Sequence, residues 1–277
     1  MVLLQDNFIL ILQELAHHQE KTMQQHDVVT EQFGKTANAY LSSAVHAQGA
    51  DLVLMQECAR RHGKPAVLDL GCGAGHASFA VAPVAQSVVA YDLAQPMLDV
   101  VDHAKAQRGL HNISTQQGDV ARLPFADASF DMVVTRFSAH HWNDVAGALA
   151  EAWRVLRPNG TLLVVDIVAP KTALYDSTLQ AVEMLRDASH VRDYRTCEWG
   201  AKFNNAGFNH SLHSVWKLTM QFDEWVARMR TPNERVAAIR NLFDGAPEEA
   251  RRYFALQDDY SFSIDAAMFE ARKPSVQ

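Results

Sequence analysis

Three aspartates stand where a ligand could be held. Asp69 lies in the apolar run AVLDL, Asp92 closes SVVAYD, and Asp119 sits in Gly118-Asp119-Val120, just after the weaker run Ile113–Gln117. Around the first lies the string Val67-Leu68-Asp69-Leu70-Gly71-Cys72-Gly73-Ala74-Gly75. Glycines at 71, 73 and 75 let the backbone approach a ligand closely before a helix begins. Dinucleotide turns place G-x-G-x-x-G at the same point, whereas here the spacing is G-x-G-x-G and an acid precedes it. That carboxylate would repel a pyrophosphate and would tolerate or favour a ligand with an ammonium and a sulfonium. Asp92, 19 residues after Gly73, suits an acid accepting two ribose hydroxyls, or a cap on the helix that follows. Met97 could lie on an adenine face or belong to the core. Asp119 could accept from an adenine amino group.

A second set could move a proton. Arg136, Ser138, His140 and His141 follow the fourth strand-like run, FDMVVT. A neutral imidazole, titrating near pH ~6.5, can take a phenol, enol or hydroxyl proton. Asp166, near the end of TLLVVDI, could orient a histidine or bind substrate. The same stretch, His141-Trp142-Asn143-Asp144, also reads as a helix entry with Asp144 as its cap. His190, Arg192, Tyr194 and Arg195 crowd one segment, and Arg228 and Arg230 another. Such arginines could grip an acidic or carbonyl-bearing substrate, or form solvated or inter-subunit ion pairs. None of the 13 histidines falls in an HExxH pattern, so no metal is expected. Cys72 matters there by size rather than as a nucleophile.

These residues require a frame of strands and helices. The five runs Ala66–Leu70, Ser87–Tyr91, Ile113–Gln117, Phe130–Thr135 and Thr161–Ile167 alternate with helical stretches at His76–Val84, Gln95–Gly109 and Asp144–Leu156. The last stretch stops at a turn, Arg157-Pro158-Asn159-Gly160. The alternation predicts an α/β fold with a parallel sheet covered on both faces. Farther on, helices are expected at Thr172–Ala188 and Glu198–Asn205 and a sixth strand at Ser211–Phe222. Three short helices, Asp223–Met229, Pro232–Phe243 and Pro247–Leu256, then precede a last strand within Tyr260–Lys273. Helices inserted before a last strand suggest a cap over the binding edge.

The chain has 277 residues, 25 Lys+Arg against 32 Asp+Glu and a formal charge of −7. That length suits one main domain with additions. The acidic balance disfavours nucleic acid as a partner. Cys58, Cys72 and Cys197 are far apart, which argues against a disulfide framework and for a reducing, cytoplasmic setting. The segment Met1–Glu20 holds FILIL, too short for a membrane span and a poor signal peptide. It reads either as an amphipathic helix for a homodimer or membrane surface, or as an extension before a start at Met23.

The runs VLDLGCGAGHAS, VVAYD, GDVARLPFADASFDMVVTRFSAHHW and RVLRPNG together resemble the class I S-adenosylmethionine-dependent methyltransferases. The likeness is to the small-molecule enzymes of the ubiquinone/menaquinone C-methyltransferase type. It extends from about Met23 onward, and bacterial relatives share EQFGKTANAYL, SHVRDY and WVARMRTP. The resemblance implies a doubly wound, mostly parallel, seven-stranded Rossmann-like sheet with helical cap insertions and N-terminal helices. Residues 1–26 would be an extension and 27–277 the methyltransferase domain, with caps at about 172–195 and 223–258. It also implies S-adenosylmethionine as cofactor and a small-molecule substrate. Residues matching Asp69, Gly71 and Gly73 hold the methionine part in such enzymes, Asp92 the ribose, and Asp119 with Val120 the adenine. The segment Phe33–Tyr40 would fold over the cofactor, with Tyr40 at its carboxylate end. Cys72, Leu93, Met97 and Arg136 complete the expected cofactor set; His140, His141 and Asp166 form the expected catalytic set. Asn159 replaces a common second glycine, and a left-handed Asn serves the same turn.

Two other functions compete. A nicotinamide oxidoreductase could use the same fold, against the glycine spacing and Asp69. A non-catalytic S-adenosylmethionine-binding protein needs no different residues. A nucleic-acid methyltransferase is disfavoured because Thr135-Arg136-Phe137-Ser138 stands where an N-P-P-Y-like tetrapeptide would be expected.

Overall fold

Ala66–Leu70 forms strand β1, buried at every residue after Ala66, as an apolar run inside a parallel sheet should be. The computed structural model of the chain describes residues 23–41 and 49–275, with side chains for all of these except 35–41. β1 pairs in parallel with β2 (Ser87–Asp92) on one side and β4 (Phe130–Arg136) on the other. Beyond them lie β3 (Ile113–Gln117), beside β2, and β5 (Leu156–Ile167), beside β4, both parallel. The last strand, β7 (Phe262–Arg272), inserts antiparallel between β5 and β6 (Asn209–Met220). The sheet therefore has seven strands in the order β3-β2-β1-β4-β5-β7-β6. Strand order reverses at β1 and β4, and the crevice at their carboxyl ends is where open α/β sheets bind ligands.

The helices are α1 (Gln25–Leu41), α2 (Ala50–Arg61), α3 (His76–Val81), α4 (Gln95–Gln107), α5 (Val145–Val155), α6 (Ala173–Arg186), α7 (Thr196–Asn205), α8 (Phe222–Arg228), α9 (Asn233–Asp244) and α10 (Glu248–Tyr253). Successive strand residues point to opposite faces, so Val67, Met132, Val134 and Leu163 pack under α2, α3 and α4. Leu68, Val133, Leu162 and Val164 pack instead against Leu149 of α5 and Trp199 and Phe203 of α7. A third core holds the cap. Leu179 of α6, Trp225 of α8 and Ile239 and Phe243 of α9 close on Phe262 and Ile264 of β7.

Two expectations shift. Arg157–Gly160, read as a turn before a strand, is an excursion within β5. Leu156 already pairs with Phe130, the register then slips, and pairing resumes at Met132 and Thr161. Asn159, at φ 65°, takes the left-handed step, and its N–H donates to Lys273 O at 3.0 Å. Lys273, just past β7, also donates its N–H to Gly160 O at 3.0 Å, which ties the excursion down on both sides. The expected sixth strand ends at Met220 rather than Phe222, whose ring begins α8 and fills the cap core. The boundary drawn after residue 26 falls inside α1. Residues 1–22, with the N-terminal segment read above, lie outside the described residues. Among the described residues no helix is long and apolar enough to cross a membrane.

Candidate active site

The glycine turn hangs from β2. The N–H groups of Gly71 and Cys72 donate to Tyr91 O at 2.8 and 3.1 Å, and Gly73 N donates to Asp92 Oδ2 at 2.8 Å. Gly71 and Gly73 have φ of 64° and 52°, which glycine adopts without a Cβ clash. A Cβ on Gly71 would lie 1.9 Å from Ser138 Oγ, so that position is closed to any other residue; one on Gly73 would meet nothing within 4 Å.

This turn forms one wall of a cavity of about 360 Å³. Asp69, Gly71, Cys72, Gly73, Asp92, Leu93, Met97, Asp119, Val120 and Arg136 all line it. Tyr40 belongs to α1, but its side chain lies outside the described residues. Asp69 is buried, accepts from Ser78 Oγ at 2.6 Å through Oδ2, and has no hydrogen-bond partner at Oδ1. Burial pushes its carboxyl up to about 7, with the Ser78 bonds pulling the other way. Asp92 accepts from Gly73 N and from Ala94 N, at 2.9 Å, so it is both a turn clamp and a helix-entry cap. Burial raises its pKa. Asp119 accepts from Ala121 N at 2.9 Å and faces His26 Nε2 at 3.8 Å. Met97 is buried beside Ala94 and Phe33 while still bordering the cavity. Cys72 is a buried thiol whose pKa burial drives upward.

Arg136 reaches the cavity already paired. Its guanidinium bonds Asp51 of α2, both side chains buried, and stacks 4.6 Å from the Phe137 ring centroid. Nothing in the sequence marked Asp51, since an acid in the first turn of a helix is ordinary. Phe137 turns the chain out of β4 at φ 49°, a strained angle for a bulky residue, and donates its N–H to Val165 O at 2.8 Å. His26, Val29 and Phe33 of α1 close another wall. Phe33 opens the segment that the resemblance implies for the cofactor; His26 and Val29 carry no local signal in the sequence.

The two histidines part company. His140 Nδ1 lies 2.5 Å from Asp166 Oδ1, and its N–H donates to Asp166 Oδ2 at 3.1 Å. Burial would lower its pKa, but the Asp166 carboxylate outweighs that and holds it up at about 9. It is therefore an imidazolium at neutral pH. Asp166 does orient a histidine, but neither residue lines the main cavity. His140 borders instead a smaller space of about 50 Å³ under the cap, with Glu183, Arg186, Asp193, Trp225 and Arg228. His141 lines both. Burial and the neighbouring His140 charge push it down to about 4, so it is neutral. The helix-entry reading holds alongside: Asp144 accepts from Gly147 N at 2.8 Å. Of the cap cations, Arg192 pairs with Asp176 and Glu198, and Arg195 with Glu198. Both arginines are therefore held in part-exposed ion pairs. Among the described residues no cluster of three metal-ligating side chains occurs.

A doubly wound sheet of this order, with a glycine turn at the switch point and strand-end acids around one cavity, is the architecture of the Rossmann-like class I methyltransferases. Comparison with known proteins agrees. Residues 68–164 match the family described as methyltransferase domain. The uncharacterized protein YafE of Escherichia coli is 47% identical over 203 residues, 73% of this chain and 98% of that one. The uncharacterized methyltransferase YcgJ of Bacillus subtilis is 37% identical over 246 residues, 87% of this chain and 97% of that one. The crystal structure of YcgJ superposes with a TM-score of 0.78 at 34% identity, covering 82% of this chain and 99% of that one. A malonyl-[acyl-carrier protein] O-methyltransferase of Pseudescherichia vulneris is 30% identical over 200 residues, 72% of this chain and 75% of that protein. The chain belongs to the S-adenosylmethionine-dependent methyltransferase family.

Proposed function

We propose that this enzyme methylates a small-molecule metabolite, with the donor held in the main cavity and the acceptor approaching between His141 and the cap. The observation that carries this reading is the set of three strand-end aspartates around one cavity, one of them with an unused oxygen. Asp69 Oδ1 lacks a partner, and a buried acceptor left empty costs about 1–3 kcal/mol. A cationic group of the ligand would satisfy it, whereas a pyrophosphate would be repelled. The side of Gly73 without a Cβ leaves room for close approach. Asp92, though held by backbone N–H groups including Gly73 and Ala94, keeps acceptor capacity for ribose hydroxyls. Val120, Leu93 and Met97 supply apolar walls for an adenine, with Asp119 at its polar edge. A volume of about 360 Å³ lies within the ~300–1,000 Å³ usual for small-ligand sites.

S-adenosylmethionine, when bound, supplies a methyl group already activated by a positive sulfur. The chain's main task is then alignment, which supplies up to ~7–11 kcal/mol of a barrier in the best cases. Neutral His141 serves as the base for an acceptor that carries a proton, and the His140–Asp166 pair fixes the segment that carries it. The three cysteines are free, which supports a reducing, cytoplasmic setting. Relatives include demethylmenaquinone methyltransferases and malonyl-[acyl-carrier protein] O-methyltransferases; we favour a free metabolite because the space beside His141 under the later helices is small, about 50 Å³.

The test is incubation with methyl-labelled donor and a metabolite extract. Label in a small organic product is expected, and label confined to macromolecules would overturn the reading. Calorimetry should show binding of S-adenosylmethionine and none of NADH.

A further inference from the structure

Segment 187–193 crosses the loop after β4 and brings a hydroxyl, a carbonyl and a carboxylate against His141. His141 Nδ1 lies 3.2 Å from both Ser189 O and Ser189 Oγ. The Ser189 hydroxyl donates to Asp187 Oδ1 at 2.6 Å, and Ser189 N donates to the same oxygen at 2.8 Å. With its proton committed to Asp187, the hydroxyl can only accept from His141. A carbonyl oxygen accepts in any case. Both atoms facing Nδ1 are therefore acceptors, and Nδ1 must carry the ring proton. Gln25 of α1 steadies the arrangement, its side-chain amide donating to Ser189 O at 2.7 Å. Asp187 Oδ2 has no hydrogen-bond partner and stands 3.9 Å from Nδ1. Asp187 and Ser189 are both buried, so that acceptor is costly unless it serves something.

We propose that Ser189 and Asp187 are positioning residues that hold His141 as its Nδ1–H tautomer, leaving Nε2 bare to receive the acceptor's proton. This rests on the reading of His141 as the base. In the transfer the acceptor's proton passes to Nε2 as its electron pair forms the bond to the methyl carbon, and the C–S bonding pair stays on sulfur. The imidazolium so formed turns a second N–H toward nothing new; its Nδ1–H already faces the Asp187 carboxylate, whose unused oxygen gains a cation to meet. The arrangement parallels the buried carboxylate that fixes a histidine tautomer in serine hydrolases, here with a serine between. The other groups around His141 are the His140 imidazolium on its own segment, Asp166 of β5, Glu183 and Arg186 of α6 beside the smaller space, and the Phe33 edge from α1 at 4.9 Å.

The tautomer can be read without knowing the substrate. The full chain labelled with ¹⁵N-histidine is observed by long-range ¹H–¹⁵N correlation at pH 7, with His141 assigned by its loss in His141→Gln. The Nδ1–H form is expected in the wild type; an Nε2–H form would overturn the proposal. Asp187→Asn offers an N–H donor where wild type offers only acceptors, so a large Nε2–H population should appear. Transfer of labelled methyl into extract should fall roughly 10²-fold or more, with the donor Kd within about twofold of wild type. Ser189→Ala keeps the carbonyl and should give a smaller change of the same sign, and Ser189→Thr should restore the wild-type tautomer. If Asp187→Asn does not fold, the two serine variants carry the test. A tautomer unmoved in all variants that fold overturns the positioning role. A tautomer that moves as expected, with His141→Gln transferring label as fast as wild type, leaves the positioning intact and sinks the base assignment instead.

Discussion

The main cavity and the histidine–acid cluster open from the same carboxyl edge of one sheet, yet they are built by opposite means. In the cavity, one turn between β1 and α3 and the ends of β2 and β3 present groups that are only partly satisfied. Asp69 keeps an empty oxygen and Gly73 an open side. In the cluster, His140, His141, Asp166, Asp187 and Ser189 come from three separate segments and bond mainly to one another, with Asp187 Oδ2 left over. The first region leaves groups open; the second uses most of its polar groups to hold two imidazoles in different protonation states. Substitutions in the first should therefore show in affinity, and those in the second in turnover and folding.

The widest separation of the two is expected at His141. His141→Gln should lower transfer by roughly 10²–10⁴-fold, the usual share of a positioned base, while donor affinity stays near wild type by calorimetry. A matching loss of affinity would erase the division between regions. Next comes Asp166→Ala. It removes the anion that keeps His140 charged and strands two backbone donors, His140 N and Ile167 N, and should cost about 3–5 kcal/mol of stability, the usual result of breaking a buried pair. Urea unfolding measures this. Its pH profile has a definite sign: His140 is raised from 6.5 to about 9, so its contribution is full below pH 6.5 and is lost as pH rises through 9. In Asp166→Ala that alkaline decline should flatten.

In the cavity, Asp92→Ala should weaken donor binding by about 1.5–3 kcal/mol, a rise in Kd of roughly 10- to 150-fold. An unchanged Kd in a folded variant would reduce Asp92 to its turn-clamp role. The smallest effect is a pH dependence of binding. Asp69, held up at about 7 by burial, is carboxylate above that pH and carboxylic acid below it. Affinity for the cationic donor should rise a fewfold from pH 6 to pH 8, and Asp69→Asn should remove the rise.

The cavity was legible in the chain because its parts are local. A strand must end, a glycine must take positive φ, and an acid must close the next strand, so Asp69, Gly71, Gly73 and Asp92 announce themselves by spacing alone. Alternation of apolar runs and helices likewise determined the doubly wound sheet. What spacing could not carry was partnership between distant segments. Asp51 on Arg136, Asp187 and Ser189 on His141, and His26 on Asp119 are ordinary polar residues in a helix turn, a loop and a helix start. Nor could spacing divide His140 from His141. They are adjacent in the chain and alike in type, and their protonation differs because one meets the Asp166 carboxylate and the other meets acceptors from segment 187–193 in a buried site. Charge and tautomer depend on distance and dielectric, and those quantities come into being only when the sheet edge and the cap close on each other.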